Sequence, residues 1–171
     1  MTAASIIDLF PDRREAVENA RSVIRMDDAT DDELWAALET AQAADFVRAM
    51  PKQLDAPIAQ GGTNVSGGQR QRLSIARALV KKPDIYVFDD SFSALDVVTD
   101  ARLRAALEGE TADAGVLIVA QRVSTIRDAE TIVVLDDGRI VGVGTHDELV
   151  VGCPTYAETV ESQFKDEEAA A

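Results

Sequence analysis

The chain is poor in cysteine, in aromatic residues and in basic charge. Cys153 is the single cysteine of the 171 residues, so an intrachain disulfide is excluded and a reducing compartment fits. Aromatic residues make up 5% of the sequence, so a folded core must consist mostly of valine, isoleucine, leucine and alanine. The 31 acidic and 17 basic residues give a net charge of -14, which argues against nucleic acid or an anionic lipid surface as a partner.

Long apolar runs are absent as well. No stretch approaches the length of about 20 apolar residues that crosses a bilayer, and residues 1–16 lack the basic and apolar regions of a signal peptide. We therefore expect no direct membrane insertion and a cytoplasmic location, with any membrane association made through a partner. The hydrophobic content of 46% and the charged content of 28% are typical of a folded protein with one core.

Two helical segments are predicted in the N-terminal half. Apolar residues three to four apart predict a helix over residues 30–50, with Thr30 and Glu33 as its capping box and Pro51 as its end. The same spacing predicts a second helix over residues 66–81.

Three short, uniformly apolar runs in the C-terminal half predict strands over residues 85–88, 115–120 and 131–135. Runs of this kind are typical of strands that are buried on both faces of a parallel sheet. Helical stretches near 97–108 and 122–129 separate them, which gives the β-α-β order of a layered α/β fold.

Turn and cap residues mark the end of the chain. Asp137-Gly138 is typical of a hairpin turn, so an antiparallel sheet edge is predicted there. Thr145 with Glu148 predicts the start of a further helix. The composition changes near Pro83, from a helical first half to an α/β second half.

The four residues SGGQ, 66–69, begin the second predicted helix and form the first candidate site. Gly67 and Gly68 each cost a helix about 1 kcal/mol relative to alanine, and close approach of a ligand to the backbone explains that cost. The unpaired N–H groups and the dipole at a helix start favour an anion, while Ser66 and Gln69 can form a capping box. Taken alone, these residues fit an ordinary glycine-containing helix start better.

Asp89 and Asp90 follow the predicted strand 85–88. A carboxylate at the carboxyl end of a parallel strand is where α/β nucleotide enzymes hold hydrated magnesium, so Asp89 is the candidate metal ligand. The alternative is a plain strand-end turn.

The stretch VSGGQRQRLSIARALVKKPDIYVFDDSFSALD, residues 65–96, resembles the signature motif, Walker B strand and D-loop of ABC-transporter ATPase domains in order and spacing. The resemblance extends from about residue 27 to 150 and is weak before it. It implies a partial P-loop NTPase (RecA-like) core of α/β class with a mostly parallel sheet, preceded by an ABC helical subdomain. The implied segments are a poorly matched N-terminal segment (1–26), a helical signature subdomain (27–82), the C-terminal part of the ATPase core (83–165) and a disordered tail (166–171).

The resemblance also implies ATP and Mg2+ as cofactors, with Asp89 as the metal ligand. ATP held by a second subunit would be bound in trans by the signature residues Ser66, Gly67, Gly68 and Gln69. The residues that match the D-loop, which crosses the dimer interface in the family, are Ser93, Ala94, Leu95 and Asp96.

Two catalytic positions differ from the family pattern. Asp90 stands where the family usually carries a glutamate as general base, and aspartate is one methylene shorter. Gln121 stands at the switch histidine, and glutamine carries neither a proton nor a positive charge at neutral pH. Both changes predict weak hydrolysis, similar to the degenerate chain of heterodimeric exporters. The only histidine, His146, is interpreted as a solvated residue at a helix start.

A Walker A loop, G-x-x-x-x-G-K-[ST], does not occur in the 171 residues, since none of the four lysines follows a glycine. We therefore expect the isolated chain to bind ATP poorly and to hydrolyse essentially none. Without the strands that precede it in the family, the sheet is also expected to expose a hydrophobic edge.

The hypothesis that follows is a part of the ATP-binding domain of an ABC exporter, truncated or encoded by a split gene. Its partners would be a second ABC nucleotide-binding domain and transmembrane domains at the cytoplasmic face of the membrane. Two alternatives stay open. One is a non-catalytic module that donates its signature helix to a partner ATPase, and the other is an unrelated α/β domain that shares the pattern by chance.

Overall fold

The computed structural model describes residues 18–19 and 29–170, which fall into two compact units divided between residues 119 and 120. The α-helices of the described residues are α1 (Asp31–Thr40), α2 (Ala44–Ala49), α3 (Gly67–Val80), α4 (Val97–Glu110), α5 (Val123–Ile126), α6 (His146–Gly152) and α7 (Pro154–Ala170). The strands are β1 (Glu18–Asn19), β2 (Pro57–Ile58), β3 (Ile85–Asp89), β4 (Gly115–Val119), β5 (Ile132–Asp136) and β6 (Arg139–Gly144). Short 3-10 turns lie at Gln53–Asp55 and Gln60–Gly62.

Three helices begin at the capping boxes that the sequence predicts. The boxes pair Thr30 with Glu33, Ser66 with Gln69 and Thr145 with Glu148. In each, the hydroxyl accepts a hydrogen bond from the N–H three residues on, and that residue's side chain accepts one from the cap N–H. Two donors that the helix itself leaves unpaired are thereby satisfied, so the three predicted helix starts are confirmed.

The prediction of one helix over residues 30–50 is wrong, because the helix stops after α1 and resumes as α2. Gln42 lies between them in a left-handed conformation with φ 56°. Its N–H donates to the Glu39 carbonyl at 3.0 Å, and the Ala43 N–H donates to the Leu38 carbonyl at 2.7 Å. This pair of bonds is a Schellman helix end, which usually has glycine in the left-handed position. Glutamine occupies it here, so the sequence carried no stop signal.

The core of the first unit lies between α1, α3 and β3. Its largest fully buried side chains are Leu34, Leu38 and Val47 of the first two helices, Leu73 and Ile75 of α3, Phe88 of β3, and Leu103 of α4. The helix predicted over 66–81 is confirmed, and its buried side carries Leu73, Ala76 and Leu79. Because this side of α3 is buried, only the opposite face of the helix is available to a functional site.

Strands β3 and β4 pair in parallel, in register from Ile85–Gly115 to Asp89–Val119, which confirms a parallel pair in an α/β fold. The expectation that such strands are buried on both faces of a parallel sheet is wrong for β4, and also for β5, which pairs antiparallel with β6 and exposes Val133 and Leu135. Val116, Leu117 and Val119 are 46%, 56% and 50% exposed. Among the described strands β4 pairs with β3 alone, so its other edge has no strand beside it and the expected hydrophobic edge is present.

The second unit contains the predicted hairpin, in which β5 and β6 pair antiparallel. Asp137 and Gly138 both have positive φ, 45° and 73°, as a two-residue turn of type I′ requires. A small core joins the hairpin to the helices and consists of Val123, Ile132, Leu149, Cys153 and Tyr156. The helix predicted over 122–129 is shorter than expected, at four residues.

The backbone of residues 166–170, in the predicted disordered tail, continues α7, because alanine and glutamate are good helix formers. None of the described helices has the length and apolar character that crossing a bilayer requires.

Candidate functional site

The start of α3 presents a capped helix end. The Ser66 hydroxyl accepts a hydrogen bond from the Gln69 N–H at 3.2 Å, and the Gln69 side-chain oxygen accepts one from the Ser66 N–H at 2.9 Å. Gly67 and Gly68 are the first two residues of the helix. N–H groups at such positions have no partner within the helix, and the dipole gives this end a positive potential. The end can therefore bind an anion.

The two glycines differ in what surrounds them. A Cβ added at Gly68 would lie 2.9 Å from the carbonyl oxygen of Ala94, a backbone atom, whereas one added at Gly67 would meet only the Ala94 Cβ at 3.7 Å. Sequence reasoning attributed both glycines to the approach of a ligand. The structure gives Gly68 another cause, which is close packing against the loop Ser93–Asp96 (loop 93–96).

Asp89 and Asp90 lie at the carboxyl end of β3, and both are exposed. Asp89 is the last residue of the parallel ladder, opposite Val119. The Asp90 N–H donates to the Val119 carbonyl at 2.9 Å, and Asp90 itself takes a left-handed φ of 47°. The chain thus turns sharply at Asp90, and both carboxylates end the strand where an α/β sheet binds its ligand.

A glutamine that the sequence reasoning missed, Gln71 of α3, joins this turn to the helix. Its amide nitrogen lies 3.2 Å from the Asp90 carbonyl oxygen and 3.2 Å from the Ser93 hydroxyl, and donates to both. Its amide oxygen accepts a hydrogen bond from the Ala94 N–H at 3.1 Å. These partners are 19 to 23 residues away along the chain, so only the tertiary fold brings them together.

A cleft of about 330 Å3 lies where these elements meet. Its lining residues come from α3 and from the turn after β3: Gly67, Arg70, Gln71, Ser74, Asp89, Asp90, Ser91 and Ala94. The first unit therefore brings Gly67 of the predicted signature, Asp89 and Asp90, and Ala94 of the predicted D-loop to one cleft, whereas the other signature and D-loop residues do not line it.

Asp96 closes loop 93–96 and caps α4. Its carboxylate accepts hydrogen bonds from the Thr99 hydroxyl at 2.7 Å and from the Thr99 N–H at 3.0 Å. These two bonds, the hydroxyl first, hold the pKa of Asp96 below its ordinary value. The residue that matches the last position of the D-loop is therefore also a structural cap.

Magnesium fits the end of β3 with one protein ligand. Within residues 18–19 and 29–170 no three His, Cys, Asp or Glu side chains gather into a metal-binding group. Mg2+ commonly keeps several waters and takes one or two carboxylates together with substrate phosphates. The exposed carboxylate of Asp89 suits that role.

Gln121 lies in the second unit, where its side chain is exposed. Gln163 of α7 holds the adjacent backbone, donating to the Gln121 carbonyl at 2.7 Å and accepting from the Val123 N–H at 2.8 Å. His146 begins α6, as expected, but it is only partly solvated. Its Nδ1 lies 2.9 Å from the Tyr156 hydroxyl and the two rings pack edge to face, which gives it a structural contact.

Comparison with known proteins gives a consistent result. A family model described as ABC transporter matches residues 5–93. An uncharacterized ABC transporter ATP-binding protein of Mycobacterium tuberculosis is 52% identical over 134 residues, covering 78% of this chain and 23% of that protein. The β-(1→2)glucan export ATP-binding/permease protein NdvA of Rhodopseudomonas palustris is 42% identical over 157 residues, or 92% of this chain and 26% of NdvA.

Solved structures agree. A bacterial Atm1-family ABC exporter with ATP bound superposes with a TM-score of 0.82 at 35% identity, over 86% of this chain and 26% of that one. The chain spans about a quarter of the length of the curated relatives it matches. The family match over more than half of the residues, together with these relatives, shows that the chain belongs to the ATP-binding domain family of ABC transporters, with exporters among its relatives.

Proposed function

We propose that this chain supplies the signature side of an ATP site that it shares with a second nucleotide-binding domain of an ABC exporter. The observation that carries the proposal is the Ser66-capped start of α3, where Gly67 borders a cleft beside Asp89 and Asp90. Unpaired helix N–H groups and the helix dipole bind phosphate. Ser66 to Gln69 would therefore contact a nucleotide held mainly by the partner.

We assign roles to the other site residues from their positions. Asp89 would hold Mg2+, which when bound neutralises charge on the phosphates. Loop 93–96, packed against the start of α3, would lie at the contact with the second domain. ATP binding and hydrolysis at the shared site would drive transport through transmembrane domains, which would keep the chain at the cytoplasmic face of the membrane.

The second candidate function is a non-catalytic module that donates α3 to a partner ATPase. Two substitutions favour it. Asp90 is one methylene shorter than the family's glutamate and so reaches less far toward an attacking water. Gln121 donates a hydrogen bond but carries no charge. In addition, the 171 residues contain no Walker A sequence. Turnover at the shared site would then depend on the partner's catalytic groups.

A mixing assay tests the proposal. The full chain is titrated into a nucleotide-binding domain that carries a Walker A loop and is taken from an exporter relative, and ATP hydrolysis is measured. We expect a rise in turnover that saturates with added chain. Hydrogen bonds to charged groups contribute about 1.5–3 kcal/mol, so Ser66→Ala should lower the stimulated rate by about tenfold or more.

Thr145→Ala is the matched control, because it removes a hydroxyl from the same kind of capping box at the start of α6. Its cost to helix stability is comparable, about 1 kcal/mol, but its hydroxyl belongs to the second unit. If the unmodified chain gives no rise in turnover, or if both variants lower it equally, the proposal fails.

A further inference from the structure

The amide nitrogen and the amide oxygen of Gln71 both form hydrogen bonds to one segment of the chain. A carboxamide offers two N–H donors and an acceptor oxygen. Here the donors go to the Asp90 carbonyl and the Ser93 hydroxyl, and the oxygen accepts from the Ala94 N–H. Ser93 adds its own bond, from its hydroxyl to the Asp90 carbonyl at 3.0 Å. The segment from Asp90 to Ala94 is thus tied to α3 through one side chain.

A second contact also holds loop 93–96 against α3. The Ala94 carbonyl lies so close to Gly68 that a methyl group there would meet it at 2.9 Å. Loop 93–96 is therefore held from both sides, by the Gln71 amide and by the backbone of the first turn of α3. The helix end and the turn that carries Asp90 cannot shift independently while both contacts persist.

The capping box at the start of α3 does not depend on the hydrogen bonds of Gln71. Ser66 and Gln69 bond to each other and use no atom of Gln71. Loss of the Gln71 amide would leave the helix end capped and able to bind phosphate, while the segment from Asp90 to Ala94 would lose its alignment. Binding and turnover should therefore respond differently to a change at residue 71.

We propose that Gln71 is a positioning residue, which aligns the Asp90 turn and loop 93–96 with the nucleotide-facing end of α3. The inference rests on the proposed function and deepens it, since it names the group that holds loop 93–96, at the proposed contact with the second domain, against the signature end of α3. Gln71 needs no contact with the nucleotide for this role.

The test uses the full chain as Gln71→Met, which keeps the length of the side chain and removes its polar atoms. In the mixing assay with a Walker A-bearing exporter domain, kcat at saturating chain should fall by about tenfold or more. Loop 93–96 would no longer be held in place at the proposed contact with the second domain, and small misplacements near reacting groups are costly. KM for ATP should change less than about twofold, since the capped helix end persists. A variant that merely folded less well would recover its rate when more chain is added, and Gln71→Met should not.

Hydrogen exchange of the chain alone gives a readout independent of turnover. The Ala94 amide, which bonds to the Gln71 oxygen, should exchange faster in Gln71→Met, and the Gln69 amide should not. Gln42→Met is the matched control: that amide also bonds to a backbone carbonyl, of Glu39 at 3.2 Å, within its own turn. It should leave both kcat and Ala94 exchange unchanged.

The outcomes separate the two proposals. Absence of stimulation by the unmodified chain overturns the shared-site function, and the positioning role with it. Stimulation that persists in Gln71→Met overturns only the positioning role, as does a loss of kcat without faster exchange at Ala94. A loss of kcat with unchanged KM, together with faster Ala94 exchange, supports it.

Discussion

At the scale of single residues, the two adjacent glycines of the signature motif have different physical causes. Gly68 faces a backbone carbonyl, which cannot retreat without moving loop 93–96, whereas Gly67 has ordinary van der Waals space. A helix start tolerates glycine poorly, at about 1 kcal/mol relative to alanine. Close packing against Ala94 accounts for glycine at position 68. Only the glycine at position 67 therefore needs a ligand as its explanation.

Replacement of Gly68 by alanine should therefore destabilise the chain. We expect a loss of about 1–3 kcal/mol in the free energy of unfolding, as for other overpacked sites, because the new methyl group overlaps the Ala94 carbonyl. Urea unfolding followed by circular dichroism measures the change. Gly109→Ala is the control, since that glycine lies within α4 with nothing inside 4 Å of the added Cβ. It should raise stability by about 0.4–1 kcal/mol. Equal effects of the two variants would contradict the packing argument.

At the scale of elements, helix starts were predictable and one helix end was not. Thr30, Ser66 and Thr145 each carry the local signal of a capping box, and the structure forms all three. The stop after α1 depends on Gln42, which is held in its left-handed turn by the Arg72 guanidinium at 2.7 Å from its carbonyl. That contact joins residues 30 positions apart, so no local sequence pattern predicts it.

The same division applies to the candidate site. Motif spacing predicts Ser66 to Gln69, Asp89 and loop 93–96 as site residues, because these lie in one continuous stretch of sequence. It missed Gln71, whose partners are distant along the chain, and it misjudged β4, whose exposure depends on which strands pair beside it. Helix caps and motif residues can be predicted from the local sequence, whereas contacts between elements depend on the fold.

Cap carboxylates predict how stability depends on pH. Hydrogen bonds from Thr99 lower the pKa of Asp96, and bonds from the capping residues Thr30 and Thr145, the backbone N–H first, lower the pKa of Glu33 and Glu148. A group with a depressed folded-state pKa stabilises the fold above its unfolded pKa, about 4, and this contribution is lost as pH falls through the folded pKa. The thermal midpoint should thus decline as pH falls below about 5.

Asp96→Asn separates the cap from its charge. Asparagine caps helices about as well as aspartate, so stability at neutral pH should change little. Because its side chain does not titrate, the variant should lose less of its thermal midpoint between pH 7 and the acid range than the unmodified chain. Parallel pH profiles for the two proteins would exclude Asp96 as a source of the acid sensitivity.

At the scale of the whole molecule, the site residues divide between two units. Ser66, Asp89 and Asp90 belong to the first, and Gln121 belongs to the second, on a backbone held by Gln163. The chain covers about a quarter of its relatives' length, so the proposed activity is tested in the presence of a second nucleotide-binding domain.

The weak hydrolysis expected of this chain is attributed to Asp90 and Gln121, and restoring both family residues tests that attribution. Asp90→Glu returns the reach of the family's general base, and Gln121→His returns a side chain that can carry a proton. We expect the double variant to hydrolyse ATP when a Walker A-bearing segment is supplied in the same reaction, and to remain inactive without it. General-base catalysis typically contributes about 10²–10⁴-fold, so the gain should exceed tenfold over the unmodified chain with the same segment.

The single variants sharpen this prediction. Residues that act together in catalysis are non-additive, so Asp90→Glu or Gln121→His alone should recover only a small part of the rate. Steady-state ATP hydrolysis of the four proteins, each with and without the Walker A-bearing segment, measures the effect. Turnover by the unmodified chain on its own would contradict the assignment, because a helix end and the proposed magnesium ligand Asp89 are not expected to hold the β- and γ-phosphates without a Walker A loop. An inactive double variant with the segment supplied would contradict the attribution of weak hydrolysis to Asp90 and Gln121.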